Sequence, residues 1–471
     1  MSKYEQLMAS IRNQINDGVW DVGEKLPSLR KQSSLSGLSL MTVLNAYQAL
    51  ESQGLVVSHP RSGYLVAPKI TPPEYKKTKA NYHATEHINS NDLIFDVLQT
   101  SRQPDLINFG SAYPDPSLYP RAQINRSLAT AAKSMPTSAM LDNFPPGNEE
   151  LRQIISKRYA TQGMSISPDE IVITSGALEG LNLCLQSVTQ PGDWVIVESP
   201  TFYGSIQSLQ KLGLKALAIR THPLTGIDID ALEAALKTHD VKACWLMTNY
   251  QNPMGFTLPL DNKKKLASLL KQYQVYLIED DVYNELFSGN KKPLPTKAFE
   301  HSDMTMHCSS FSKSLVAGFR IGWVAAGSQA KAIQKLQLMT TMAASAPMQL
   351  AMTRFLTTTS YETHLRQLRR TLAQRKYAMW KRLNQYMPDD VNIIFSEGGY
   401  FIWIELPEHI NAYDLYLKAL KHNVHIAPGA MFSLTEQFNH CFRLNASFEC
   451  TDQHVDGIKT LASLVKQMER K

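Results

Sequence analysis

The chain has no stretch approaching the roughly 20 uninterrupted apolar residues that a membrane helix needs. Its opening residues, MSKYEQLMAS, lack the apolar core of a secretion signal. Neither a membrane protein nor an exported one is expected, and the chain reads as soluble and cytoplasmic. Paired cysteine spacing is missing too: Cys184, Cys244, Cys308, Cys441 and Cys450 are odd in number and scattered. That pattern speaks against a zinc site, an iron–sulfur cluster or a disulfide frame, and for reduced thiols. Internal repeats and low-complexity tracts are absent as well. What is present is a globular composition, 43% hydrophobic and 19% charged over 471 residues, in a chain too long for one ordinary domain. The net charge of +6 is uneven: residues 1 to 80 hold ten Lys or Arg against six Asp or Glu, an excess of four that suits a polyanionic partner.

Tyr4, Leu7, Ile11 and Ile15 recur at helical spacing up to a turn at Gly18. A second helix is expected from Ser28, and a third after Ser39, with Val43, Tyr47 and Leu50 facing inward until Gly54. Two short strands, Leu55 to Val57 and Tyr64 to Val66, then flank His59, Pro60, Arg61, Ser62 and Gly63. Three helices and a hairpin make a winged helix-turn-helix over residues 1–68. The polar, proline-bearing stretch that follows is expected to be a linker over 69–103. Beyond it, β-branched runs (EIVIT, DWVIVE, ACWLMT, VYLIED) alternate with helical stretches, the pattern of parallel strands with crossover helices. The last hundred residues read as a smaller α+β unit. The fold class expected is α/β behind an N-terminal winged helix.

Pro27, Ser28, Arg30, Thr42, Val43, Tyr47, Leu50, Gly54, Arg61, Ser62, Gly63 and Tyr64 carry a resemblance to the GntR family of winged-helix repressors. The resemblance implies a double-stranded DNA partner. The third helix would enter the major groove with Ser39, Met41 and Thr42, while Arg30, His59, Arg61 and the wing backbone at Ser62 and Gly63 hold phosphates. Leu40 and Leu44 stand where many relatives carry arginines, which removes strong guanine readers. A winged helix used only for protein contacts is the alternative.

SSFSKSLVAGFRIGW, residues 309 to 323, is similar to the lysine motif of fold-type I aminotransferases that use pyridoxal 5'-phosphate. In that resemblance Lys313 forms a Schiff base with the cofactor, and Ser310, Ser312 and Arg320 ring its phosphate. VYLIEDDVY ends a strand at Asp280, the expected partner of the pyridine nitrogen, with Tyr283 on the ring hydroxyl; Asp281 is expected to be a capping or solvated acid. In TNYQNPMG, Asn252 also touches the ring oxygen, although it could simply form a turn. TSGALEGL sets Ser175, Gly176 and Ala177 at a helix start, where free amides attract a phosphate. Phe202 would stack on the ring, and Arg443, in CFRLNAS, would grip a substrate carboxylate. Asp142 stands where relatives often have a tyrosine reaching the neighbouring subunit's phosphate.

These motifs span residues 104–471, and with the winged helix the whole chain resembles the MocR subfamily. The resemblance implies a homodimeric transcription regulator that senses an amino compound or the cofactor itself. The alternative is a working aminotransferase carrying a DNA-binding domain. No metal is expected.

Overall fold

The computed structural model describes residues 3–52, 55–59, 63–67, 82–88, 91–137, 144–289, 291–358 and 361–469. At the N-terminus α1 (Lys3–Asn16), α2 (Leu29–Ser36) and α3 (Leu40–Ser52) pack with a hairpin of β1 (Val56–His59) and β2 (Gly63–Val66). The heptad-like spacing read from the sequence forms the core: Leu7, Ile11 and Ile15 of α1 meet Val43, Ala46, Tyr47 and Leu50 of α3, closed by Leu26, Val56 and Val66. Val43, Tyr47 and Leu50 are fully buried, each contributing about 2 kcal/mol. Helix α2 starts where Ser28 accepts the Lys31 amide and stops at Gly37, whose φ of 67° no β-carbon obstructs. The hairpin is antiparallel, Val56 opposite Val66, and the Tyr47 hydroxyl donates to the Pro27 carbonyl at 2.9 Å, tying α3 to the loop before α2.

The linker expected over 69–103 needs correction. Residues 82–85 form β3 (Tyr82–Thr85), an edge strand antiparallel to a strand of the main sheet, and α4 (Asn91–Thr100) buries Ile94 and Val97 in the smaller domain's core. The apolar spacing of Leu93, Ile94, Val97 and Leu98 is helical; the polar residues around it hid that period. A short strand, β4 (Ile107–Asn108), follows.

The large domain is a mixed sheet in the order β3-β7-β6-β9-β10-β11-β12-β5, with β8 (Gly226–Ile227) paired to β7. Its strands are β5 (Ile171–Thr174), β6 (Trp194–Ser199), β7 (Lys215–His222), β9 (Val241–Leu246), β10 (Tyr276–Asp280), β11 (Thr305–Ser310) and β12 (Gly322–Ala325). The five from β7 to β11 in that order are parallel, whereas β12 runs antiparallel to both β11 and β5. Burial on both faces explains their near-continuous apolar sequence. Crossovers are α7 (Ala177–Val188), α8 (Tyr203–Lys211), α9 (Ile229–Thr238) and α10 (Leu260–Tyr273), preceded by α5 (Arg121–Ser134) and α6 (Glu149–Ala160) and followed by α11 (Ala330–Thr340) and α12 (Ala346–Thr358).

The 26-residue α13 (Tyr361–Tyr386) leads into the small domain. There β13 (Asn392–Phe395), β14 (Phe401–Glu405), β17 (Cys441–Asn445) and β16 (Ala427–Pro428) form an antiparallel sheet covered by α14 (Ala412–Leu420) and α15 (Asp452–Glu469), and β15 (Val424–His425) pairs with β4. Among the described residues no helix is long and apolar enough to cross a membrane.

Candidate functional site

Strand order decides where the site lies. The parallel strands β9, β10 and β11 end at one edge, so the segments leaving them open onto a shared crevice, and ligands of open α/β sheets bind at such carboxyl ends. A cavity of about 250 Å³ lies there, lined by Ala177, Phe202, Asn252, Asp280, Tyr283, Ser310, Ser312, Lys313 and Arg320 together with Tyr113 and Tyr203. Residues scattered from Tyr113 to Arg320 are thus brought together by strand ends and helix starts.

Lys313 follows β11 on a turn and is enclosed. Its Nζ donates to the Ala112 carbonyl at 2.8 Å and lies 3.9 Å from the centre of the Tyr113 ring. Burial, with the Arg443 charge adding to it, depresses its pKa to about 7, so a large share of the amine is uncharged at neutral pH. Asp280, the last residue of β10, is displaced the other way, also to about 7, by burial and then by the neighbouring Asp281 charge. Its Oδ1 has no hydrogen-bond partner among the described residues. Asn252 Nδ2, Ser312 Oγ and Arg443 Nε are buried in the same condition. Buried polar atoms are nearly always satisfied, so three such atoms on residues lining one cavity, those of Asp280, Asn252 and Ser312, suit recognition of a polar ligand.

Arg443 lies on β17 behind that wall. It is 1% exposed, donates to Asn252 Oδ1 and to the Gly110 carbonyl, each at 2.6 Å, and is flanked by the rings of Phe401 and Phe432 at 4.3 and 5.1 Å. Holding Asn252 by its oxygen leaves the amide nitrogen of that side chain as the free donor.

At the other end of the cavity Gly176 precedes α7 with φ 90°, and a β-carbon there would lie 2.3 Å from Arg320 Nη2. Only glycine lets the guanidinium come this close. Arg320 itself has φ 54°, a left-handed conformation costing about 1 kcal/mol, and its Nη2 donates to the Ser175 carbonyl at 3.3 Å. The Ser175 amide is already engaged by the Glu179 carboxylate, which leaves the helix start at Ala177, Ser310 and Ser312 to face the cavity with Arg320. Phe202 stands before α8, its ring 4.6 Å from that of Tyr203.

Asp281 is not the solvated or capping acid expected from the sequence. It is fully buried on the far side of the strand end from Asp280, where His307 Nε2 meets Oδ2 at 2.9 Å and Asn284 and Asn249 donate at 2.6 and 3.1 Å. His307 Nδ1 is in turn 2.7 Å from the Tyr159 hydroxyl, which accepts from Trp323 at 3.0 Å. These contacts hold the Asp281 carboxyl below the usual carboxylate range against a large burial penalty. The one sequence signal was the alternation Thr305, His307, Ser309 on a wholly buried strand; nothing in the sequence joins it to Asp281 or Tyr159.

At the winged helix, Arg30 is exposed on α2, Met41 is 65% exposed on α3, and Gly63 is exposed at φ 90°. Ser39 caps α3, its Oγ accepting the Thr42 amide at 3.2 Å and meeting Thr42 Oγ1 at 2.8 Å. The side chain of His59, and Arg61, Ser62 and Asp142 entirely, lie outside the described residues. Among the described residues no cluster of His, Cys, Asp or Glu could hold a metal.

Comparison with known proteins gives the same two-part division. Residues 3–66 match the bacterial regulatory proteins of the gntR family, and residues 112–458 match aminotransferase class I and II. The chain is 53% identical over 470 residues to YdcR, an uncharacterised HTH-type transcriptional regulator of Escherichia coli K12, covering 99% of this chain and 100% of the relative. A second such regulator of that organism, YjiR, is 32% identical over 470 residues, with 99% of each chain covered. Among solved structures, kynurenine aminotransferase of Pyrococcus horikoshii superposes with a TM-score of 0.75 at 28% identity, covering 81% of this chain and 96% of that one. Two such matches lying end to end, and relatives that share the whole length, place this chain in the group of HTH-type transcriptional regulators of MocR architecture, with a gntR-family winged helix and a body belonging to the class I and II aminotransferase family.

Proposed function

We propose that the protein is a cytoplasmic, homodimeric transcription regulator whose body holds pyridoxal phosphate and senses an amino compound, or the cofactor itself, while its winged helices bind an operator. The observation that carries this reading is the set of buried, unpartnered polar atoms facing a largely neutral Lys313 amine. The donor set fits the cofactor. Asp280 Oδ1 suits a protonated pyridine nitrogen, whose charge would return that carboxyl to its ionised form. Asn252 Nδ2 and Tyr283 suit the ring oxygen, Phe202 the ring face, and Ala177, Ser310, Ser312 and Arg320 the phosphate, with Ser175 and Gly176 shaping its cradle. When bound, pyridoxal phosphate supplies an aldehyde open to amines and a ring that accepts electrons.

Lys313 would hold that aldehyde in competition with an amine ligand, and Arg443 would attract a carboxylate carried by such a ligand. Because Arg443 belongs to the small domain's sheet, that attraction favours an arrangement with the small domain closer to the crevice. Helix α13 offers a route onward. Gln374 donates to the carbonyl of Ser58 in the wing at 3.4 Å, Arg375 to Asp115 and the Ser447 carbonyl at 2.7 Å each, and Lys376 to the Ser396 and Gly398 carbonyls at 2.7 and 2.8 Å.

The test is operator binding by gel shift with and without pyridoxal phosphate and amino compounds. The expected outcome is a response in the wild type that Lys313→Ala removes, while that variant keeps its circular dichroism and borohydride no longer fixes the cofactor to the protein. An equal response from both proteins overturns the reading. A working aminotransferase is the second reading, favoured by the assembly of Lys313, Asp280, Tyr283, Asn252 and Arg443 in one place. Lys313 would then also carry the proton. Sustained turnover of an amino acid with a 2-oxo acid supports it; a single half-reaction that stalls supports the sensor.

A further inference from the structure

We infer that the operator half-site is A·T-rich where α3 meets it, and that α3 reads thymine methyl groups and adenine edges directly. This rests on the reading of the winged helix as a DNA-binding domain. Helix α3 buries Val43, Ala46, Tyr47 and Leu50, so its opposite face is fixed as the one turned outward. That face carries Leu40, 48% exposed, Met41, 65% exposed, the partly exposed Leu44, and exposed Asn45 and Gln48, running along the helix at spacings of three and four residues.

Large apolar side chains left in water at the start of a helix have a use in the major groove, because the thymine C5-methyl is the one apolar group displayed there. Asparagine and glutamine match the donor and acceptor pair of adenine. Guanine is read by arginine or lysine and cytosine by a carboxylate, and α3 has no cation. Its one carboxylate, Glu51, accepts the Ser58 amide at 2.9 Å at the far end. Three cations of this domain lie off that helix: Lys25, Arg30 and Lys31 are all exposed ahead of α3 or on α2, where they suit phosphates.

The full-length protein, loaded with pyridoxal phosphate, would be used to select duplexes from a random pool. The enriched duplex would then be remade with uracil in place of thymine, which deletes only the methyl groups. Each half-site is expected to enrich a run of A·T pairs. Uracil should weaken wild-type binding about fourfold per contacted methyl, and Met41→Ala, a surface change, should lose part of that sensitivity. Asn45→Ala should cost roughly tenfold on the selected duplex and little on a random one. A selected core of G·C pairs, or wild-type affinity indifferent to uracil, overturns the inference while leaving DNA binding intact. Failure to enrich any duplex overturns the DNA-binding reading and this one together.

Discussion

The two ends of the molecule handle polar groups in opposite ways. The face of the winged helix proposed to meet DNA is local: among the described residues one helix, its cap and its neighbour supply side chains that are exposed or partly exposed. The pocket of the body is assembled from segments far apart in the sequence, and its Asp280 and Tyr283, with Arg443 behind them, are buried, so their state depends on what distant segments place beside them. Exposed groups can be exchanged singly at little structural cost, whereas buried ones are tied to fold, charge state and ligand at once.

The largest test of that contrast is His307→Leu. It leaves the Asp281 charge buried without its imidazole, and is expected to cost about 3–5 kcal/mol, read as an earlier midpoint in urea unfolding of the cofactor-free protein. Retention of the wild-type midpoint would show that the asparagines satisfy Asp281 unaided. Arg443→Lys is expected next: a point charge replaces the planar fork, and the concentration of an amino acid needed to change the cofactor's absorbance should rise by roughly tenfold to a hundredfold. Loss of the response to simple amines as well would place Arg443 in support of the pocket, not in contact with the carboxylate.

The third test is pH. Asp280 titrates near 7 when folded against 3.8 in the reference state, so the stability it confers is complete below about 4 and is lost as pH rises through 7. Lys313 and Lys376, both depressed to about 7 by burial from a reference of 10.5, act in the other window: their contribution is complete above about 10 and is lost as pH falls through 7. The cofactor-free protein is therefore expected to gain stability between pH 7 and 10, by at most about 1.4 kcal/mol per pH unit for each lysine. Lys376→Met should flatten that slope in denaturant titrations, and an unchanged slope would place the titration elsewhere. The smallest effect is expected at the other end of the molecule: Arg30→Ala should weaken binding to all duplexes alike by a few-fold and lower the salt slope by about 1.

The same division explains what could be read in the sequence. The winged helix was legible because its signals are periodic and close together: Leu7, Ile11 and Ile15, the start at Ser28, the cap at Ser39. The motifs of the body were read from their resemblance to the aminotransferase family, and several of them, at Ser175, Asp280 and Ser310, lie where a strand ends. The network around Asp281 was not legible, since Asn249 and His307, with Tyr159 behind the imidazole, converge only once segments far apart in sequence lie side by side. Nor was α4 separated from the linker, where a ten-residue helix is framed by polar residues that carry no period.

Gln374, Arg375 and Lys376 are consecutive, and successive helical side chains diverge by about 100°. One stiff rod thus grips the wing, the Asp115–Ser447 corner and the Ser396–Gly398 loop with neighbouring fingers, and it cannot turn or slide for one without moving against the others. A shift as small as the 1.5 Å rise of a single residue would reach all three together, so under the proposed sensing role a signal from the crevice would need no chain of separate relays to arrive at the winged helix.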